Sequence, residues 1–171
     1  MKNTMKISMI SALLLFSQGI PAVDAAGKVV ISAKNIEAVL ETGGKVNIDV
    51  DMTENPGFNT GGITISYDST AFKLADVTYY DVPNDGSAPV SSADGKYTIV
   101  MGDMSGGTMY EGTGKLVTLT FEIQDEAEAK TYRIDIAEPQ SKVWYDYDIQ
   151  EVPVSITGCT VKLDYEIGRA H

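Results

Sequence analysis

An all-β sandwich is the fold class that this sequence predicts, and three observations predict it. Apolar residues recur at every second position in several segments, which is the period of a half-buried strand. Turn sequences such as "TGG", "NPG", "ADG", "EGTG" and "SITG" separate these segments. Sustained helical spacing is absent, because the only helix-like patch, residues 125–130, is about one turn long. Strands that follow one another without intervening helices are typical of sandwiches and jelly rolls.

The alternation locates the strands in chain order. In the segment 115–123, strict alternation directs Phe121 into the core and Leu116, Thr118 and Thr120 outward. The segments that alternate most clearly are "KVNIDVDM" (45–52), "ITISY" (63–67), "YTIVM" (97–101), "KLVTLTFEI" (115–123), "TYRIDI" (131–136) and "CTVKL" (159–163).

One strand changes phase along its length. Phe72 and Leu74 share one parity, whereas Val77 and Tyr79 have the opposite parity. A β-bulge near residues 75–76 would place all four side chains on the same face of a sheet. The sequence therefore predicts a bulged strand here.

Asp68 lies in "YDSTAF", between two of these strands. It could serve as a catalytic carboxylate, as a metal ligand, or as the first residue of a turn. The side chain of an Asp in that position accepts hydrogen bonds from backbone N–H groups further along the turn. We therefore favour the structural interpretation.

The first 26 residues have the layout of a secretory signal. Lys2 and Lys6 precede an apolar stretch at residues 7–20, and "AVDAAG" supplies small residues for cleavage. The stretch is too short to span a bilayer, which needs about 20 apolar residues. We predict a signal peptide at residues 1–26, a single domain at residues 27–171, and a secreted protein.

The composition excludes several classes of partner and chemistry. A net charge of -11 disfavours binding to nucleic acid and to anionic lipid surfaces. The single histidine, His171, is the last residue, so histidine-based catalysis and zinc sites lack their usual groups. The single cysteine, Cys159, alternates with Val161 and Leu163 and is predicted to be a buried strand residue. No catalytic residue, cofactor or bound metal is predicted.

Calcium and carbohydrate binding need separate consideration. The segment "DVPNDGS" has Asp81 and Asp85 at ligand positions of a calcium loop, but Pro83 and Ser92 depart from that pattern, so a polar turn is favoured. A pair of glycosidase carboxylates cannot be recognised among so many acidic residues. A carbohydrate-binding module stays an alternative, with a sugar platform built from Trp144, Tyr79, Tyr80, Tyr145 and Tyr147.

Taken in order, the strands and turns resemble the cohesin family, the receptor modules of bacterial scaffoldin proteins. The resemblance rests on "GGKVNIDVDM", on "NPGFNTGGITISYDSTAFKLADV" with its "YD" pair, on "GTGKLVTLTFEI", and on "GCTVKL" near the end. It covers residues 29–163. In this family the "YD" pair is a structural element between a strand and a turn, in agreement with the interpretation of Asp68.

The resemblance implies a nine-stranded jelly-roll sandwich without catalytic activity. Its implied partner is a dockerin, a small calcium-loaded domain of secreted enzymes or scaffoldins, and the complex is part of an extracellular assembly that degrades polysaccharides. The implied binding surface is one sheet face formed by residues 60–66, the segment near 87–91, 97–103 and 115–123. The predicted dockerin-binding residues on it are Thr60, Gly62, Thr64, Ser66, Thr98, Val100, Gly102, Asp103, Leu116 and Thr118.

Overall fold

The computed structural model describes residues 27–80, 91–102 and 109–165. All regular secondary structure in these three ranges is β-strand. None of their segments forms a helix long and apolar enough to cross a membrane. The strands are β1 (Val29–Ala33), β2 (Ile36–Val39), β3 (Lys45–Glu54), β4 (Thr60–Ser66), β5 (Phe72–Tyr79), β6 (Ser91–Ala93), β7 (Lys96–Gly102), β8 (Gly114–Ile123), β9 (Thr131–Ala137), β10 (Val154–Thr157) and β11 (Cys159–Asp164).

The strands form two sheets that pack face to face as a sandwich. One sheet has five strands in the order β10-β1-β3-β8-β5, and the other has six in the order β2-β11-β9-β4-β7-β6. Most neighbouring strands are antiparallel, but β1 pairs in parallel with β10 and β2 pairs in parallel with β11. The core lies between the sheets, where the alternating apolar side chains of both inner faces meet.

Two segments of the chain change from one sheet to the other. β1 belongs to the five-stranded sheet and β2 to the six-stranded sheet, and β10 and β11 are divided in the same way. Gly158 lies at the second crossing, where an added Cβ would be 2.3 Å from the carbonyl oxygen of Ile134. Only glycine fits there. The described residues hold eleven separate strands, two more than the nine that the resemblance implied, and the difference disappears when each crossing segment is counted as one strand.

Aromatic side chains occupy the middle of the core. The ring of Phe121 makes edge-to-face contacts with Tyr67 and with Phe72, at centroid distances of 4.9 and 5.9 Å. Phe72 in turn contacts Tyr132 at 5.1 Å. These rings come from both sheets, so their contacts help to fix the position of one sheet relative to the other. Phe121 is fully buried, as the alternation predicts.

The predicted bulge in β5 is confirmed. Leu74 pairs with Phe121 and Asp76 pairs with Thr120, so Ala75 is the extra residue. This bulge lets the apolar residues on both sides of it face the core. A second bulge lies in β8 at Leu116, since Lys115 pairs with Asp51 and Val117 pairs with Val50.

The interpretation of Asp68 as a turn residue is also confirmed. Its Oδ1 accepts hydrogen bonds from the backbone N–H of Thr70 at 3.0 Å and from the Thr70 hydroxyl at 2.7 Å. Its backbone carbonyl accepts from the N–H of Phe72 at 2.9 Å. The Thr70 hydroxyl and backbone N–H hold the pKa of the Asp68 carboxyl below its ordinary value. Asp68 thus organises the connection between β4 and β5.

Candidate interaction face

The outer face of the six-stranded sheet is the candidate interaction face, defined here by the outward positions of β9, β4 and β7. Thr64 of β4 lies opposite Thr98 of β7, and their hydroxyl oxygens are 3.0 Å apart. On the other side of β4, Thr64 lies opposite Ala137 of β9. These central positions are small or β-branched and carry no charge.

Five of the predicted residues lie on this face and are half-buried. The outward direction follows from the full burial of Ile63 and Ile65, which alternate with them on β4 and point into the core. The five are Thr60, Thr64 and Ser66 on β4 and Thr98 and Val100 on β7.

Two predicted glycines are on this face but are covered. An added Cβ at Gly62 would lie 3.1 Å from a methyl carbon of Val143 and 3.4 Å from the ring of Pro139, so the segment after β9 crosses over it. Gly102 is buried at the end of β7, where its φ of +143° and the carbonyl oxygen of Asn59 both require glycine. Both glycines are required by the close packing of the chain around them, and both offer little surface to a partner.

Leu116 and Thr118 were wrongly assigned to this face. β8 belongs to the five-stranded sheet, on the opposite side of the sandwich. The bulge at Leu116 turns its side chain inward, so it is 1% exposed and packs in the core. Thr118 does point outward, but from the other sheet, where its hydroxyl donates to Asp49 at 2.6 Å. The hydroxyl of its neighbour Thr120 donates to Asn47 at 2.9 Å on that same outer face.

Asp103 and the segment 87–90 lie outside the described residues, as do the signal segment 1–26 and most of the calcium-loop candidate at 81–92. Within the described ranges, no three His, Cys, Asp or Glu side chains come together in a group that could hold a metal ion.

The sequence reasoning missed the strand that borders β4. β9 pairs with β4 through Ala137, Ile136 and Asp135, so its outward residues belong to the candidate interaction face. Arg133 and Asp135 form an exposed ion pair there. The alternation of "TYRIDI" had already indicated that Arg133 and Asp135 point outward, but not which strand would pair with β9.

Among the described outward residues of β9, β4 and β7, the charged side chains lie at one end of the candidate interaction face. Ser66 lies opposite Lys96 on one side and opposite Asp135 on the other, and Arg133 is two residues beyond. At the other end, from Thr64 towards Thr60, the outward positions of these strands that the structure describes are all uncharged. The face therefore has a neutral half and a charged half.

The outer face of the five-stranded sheet is different, because charged groups occupy its centre. Lys115 lies 2.7 Å from Asp49, and the tyrosine ring of Tyr80 lies 5.2 Å below the same ammonium group. Lys115, followed by the Thr118 hydroxyl, lowers the pKa of the Asp49 carboxyl. These groups satisfy one another, so this face has the character of a solvated surface.

Trp144 cannot provide a sugar platform. Its side chain is 1% exposed, its ring contacts Phe58 at a centroid distance of 4.9 Å, and its Nε1 donates to the carbonyl oxygen of Gly62 at 3.0 Å. The proposed companions are also dispersed: Tyr79 bonds Tyr97 through their hydroxyls, at 3.1 Å. A carbohydrate ring has no access to the indole.

A cleft of about 530 Å³ opens between the edge of β5 and the strand β7. Tyr67, Leu74 and Tyr97 are among the residues that line it, together with the charged side chains of Lys73 and Asp76. Burial, followed by the hydrogen bond between the hydroxyls of Tyr97 and Tyr79, holds the pKa of Tyr97 above its ordinary value, so its phenol stays protonated. The thiol of Cys159 lies elsewhere and is buried, which raises its pKa to about 11.

The comparisons with known proteins agree with this architecture. The model of the cohesin domain family matches residues 29–162, which is most of the chain. The chain belongs to the cohesin domain family. No curated protein is similar enough in sequence to be counted as a relative.

Solved cohesins share the fold of this domain at low sequence identity. The seventh ScaB type I cohesin from Pseudobacteroides cellulosolvens is 22% identical with a TM-score of 0.69, over 84% of this chain and 97% of that chain. The sixth cohesin of scaffoldin B from Acetivibrio cellulolyticus, solved in complex with a dockerin, is 19% identical with a TM-score of 0.65, over 81% and 100%. A non-cellulosomal cohesin from the archaeon Archaeoglobus fulgidus is 15% identical with a TM-score of 0.63, over 82% and 94%.

Proposed function

We propose that this cohesin domain is a non-catalytic receptor that binds a dockerin domain through the candidate interaction face. Membership of the family supports a binding role, and similar folds from Acetivibrio cellulolyticus and Clostridium thermocellum were solved in complex with dockerins. The main support for the proposal in this chain is that the outward residues in the neutral half of the face are uncharged. In a chain of net charge -11, half of a sheet face without outward charges among its described residues needs an explanation.

The physical reason is the cost of desolvation. A charged side chain at the centre of an interface loses its water when the partner binds, and this costs free energy unless a partner charge replaces it. Interface centres are accordingly depleted of charged residues, and the rims stay polar. Thr64, Thr98 and Val100 fit the centre of such a surface, whereas Lys96 and Arg133 fit its rim.

The role that we propose places the protein outside the cell, as the receptor of an assembly of polysaccharide-degrading enzymes. The predicted signal peptide at residues 1–26 agrees with this location. The expected dockerin partner is calcium-loaded, so its fold, and with it the complex, depends on the metal. Removal of calcium should therefore release the partner without unfolding the receptor.

The experiment compares the same substitution on the two outer faces. Val100→Asp puts a charge in the neutral half of the candidate interaction face, and Val30→Asp puts one on the outer face of the five-stranded sheet, at another half-buried outward position. We expect Val100→Asp to weaken binding by at least about 30-fold, or roughly 2 kcal/mol. Val30→Asp should leave binding within about threefold of the wild type.

Binding would be measured by titration calorimetry against Ca²⁺-loaded dockerin domains from the source organism, and thermal unfolding would show that both variants are folded. Equal affinities for the two variants would contradict the choice of face. Failure of the wild-type protein to bind any dockerin of the panel would contradict the proposed function itself.

A further inference from the structure

Residues 144–152 form a hairpin beside the candidate interaction face. Tyr145 bridges to Glu151 within the hairpin, and the N–H of Val152 donates to the carbonyl oxygen of Trp144 at 3.0 Å. Tyr145 also pairs with Thr60 of β4, and their backbones exchange hydrogen bonds of 3.1 and 3.2 Å. Because directly opposed strand residues share a face, the side chain of Tyr145 lies on the outer side with Thr60.

The hairpin adjoins the neutral half of the face. Its base pairs with Thr60, the residue at the uncharged end of β4, and Val143 just before it covers Gly62. Tyr147 is only two residues beyond Tyr145, which limits their Cα separation to about 7 Å. The tip of the hairpin therefore lies next to the surface that we propose for the partner.

Two large apolar side chains are exposed at this tip. Ile149 is 79% exposed and Tyr147 is 60% exposed, and Ile149 is the most exposed large apolar residue in the described part of the chain. Tyrosine is enriched in the contacts that dominate protein interfaces. Exposed apolar residues are common on protein surfaces, so exposure alone does not identify a contact site. The backbone conformation of the tip provides the second observation.

Ile149 has a backbone conformation that its side chain disfavours. Its φ is +61°, and it is the only non-glycine residue with positive φ among the described residues. A β-branched side chain is a genuine outlier in this region, which glycine and asparagine adopt readily. Nothing in the packing compensates for it, since the isoleucine side chain projects into solvent. A strained residue that presents an apolar side chain to solvent is typical of a contact site.

The tip is also held rigid before any partner binds. The carboxylate of Asp146 accepts a hydrogen bond from the N–H of Gln150 at 2.8 Å, and the N–H of Asp146 donates to the Gln150 carbonyl oxygen at 2.9 Å. The N–H of Ile149 donates to the Asp146 carbonyl oxygen at 3.2 Å. A loop that is already ordered loses little conformational entropy on binding, so its contacts contribute more of their energy to affinity.

We infer that the 144–152 hairpin is a second contact region for the same dockerin, with Tyr147 and Ile149 as apolar anchors at one edge of the interface. This inference rests on the proposed function. It requires an exposed apolar patch on the dockerin, at the side that faces the Thr60 end of β4. The strained conformation of Ile149 is then retained because it aims this side chain at the partner.

The test uses variants that separate binding from folding. Ile149→Asn replaces the apolar side chain with one that tolerates positive φ, so the melting temperature should be unchanged or higher while dockerin binding weakens by about tenfold. Tyr147→Ser should also weaken binding by about tenfold. Tyr165→Ser is the matched control, since Tyr165 is 72% exposed but follows β11 at the opposite end of the sheet. It should stay within about twofold of the wild type.

All affinities would be measured against one Ca²⁺-loaded dockerin that the wild-type protein binds, with Val100→Asp in the same series. Weaker binding of both hairpin variants, with the Tyr165 control unchanged, supports the inference. If Val100→Asp weakens binding and the hairpin variants bind like the wild type, the inference is overturned and the proposed function stands. If no dockerin binds the wild type, the proposed function fails, and this inference fails with it.

Discussion

The indole of Trp144 lies directly on Gly61, so close that an added Cβ would be 2.5 Å from the ring carbon Cζ3. Gly61 is the inward residue that precedes Ile63 on β4, and the tryptophan fills the space that its missing side chain leaves in the core. The hydrogen bond from the indole to the carbonyl oxygen of Gly62 fixes the ring in this position. The only tryptophan of the chain is therefore part of the fold's interior.

This relationship predicts that Gly61→Ala and Trp144→Ala both destabilise the domain. The new methyl group in Gly61→Ala has to displace a buried ring, which should cost about 1–3 kcal/mol of unfolding free energy. Trp144→Ala leaves a large cavity and should cost about 3–5 kcal/mol. Urea unfolding followed by circular dichroism would measure both.

The double variant supplies the control for that pair. In a protein with both substitutions, the new methyl group no longer meets the ring, so the combined loss should be smaller than the sum of the single losses. Strictly additive losses would contradict a direct contact between the two residues.

A second prediction concerns Leu116, which the structure places in the core. Leu116→Asp buries a carboxylate without a partner and should lower the unfolding free energy by about 3 kcal/mol or more. Thr120→Asn is the control on the same strand, because Thr120 points away from the core on the outer face of the sheet, and it should stay within about 1 kcal/mol of the wild type. Equal stabilities of the two variants in a thermal melt would show that the bulge does not turn Leu116 inward.

The comparison of Leu116 with Phe121 shows how far sequence reasoning reaches. Alternation identified the strand and correctly placed Phe121 in the core, because the side-chain direction follows from parity within a regular strand. Leu116 is itself the extra residue of a bulge, and parity is reversed on the two sides of a bulge. The bulge in β5 could be predicted because its two apolar pairs have opposite parity. The bulge in β8 causes no visible change of parity in the sequence, because Leu116 and Val117 are both apolar.

The candidate interaction face was predictable only in part, for a different reason. Parity correctly directed Thr64 and Thr98 outward, but it cannot say which outward residues share a sheet. That information lies in strand pairing, which joins positions far apart in the chain, such as Thr64 and Ala137. The cover over Gly62 and the left-handed Ile149 arise from irregular segments, where periodicity carries no signal.

A third prediction uses Cys159 as a reporter of unfolding. Burial raises the pKa of its thiol to about 11, so at pH 8 only about 0.1% of the thiol is ionised. Its side chain is also inaccessible, at 4% exposure for the residue. Reaction with a disulfide reagent at pH 8 should therefore be slow in buffer and complete within minutes in urea. Rapid labelling of the folded protein would contradict the burial of β11 against the core.

The last prediction concerns pH and the turn at Asp68. Hydrogen bonds from the Thr70 hydroxyl and backbone N–H stabilise the ionised carboxylate, so its pKa is lower in the folded protein than the ordinary value of 3.8. A carboxyl group with a depressed pKa in the folded state contributes stability above its unfolded pKa, and this contribution is lost as the pH falls through the folded value. Asp68→Asn keeps a side-chain oxygen as acceptor but has no charge to titrate.

The wild type should accordingly be more stable than Asp68→Asn at pH 7, and the difference should hold down to about pH 5 and shrink below about pH 4. Urea unfolding of both proteins at pH 7, 5 and 3 would measure it, and the other carboxyl groups cancel because both proteins contain them. Because the side chain is largely in water, the difference at pH 7 is expected to be small, and its direction with pH is the decisive observation. A difference that is constant with pH, or that grows on acidification, would show that the charge of Asp68 does not hold this turn.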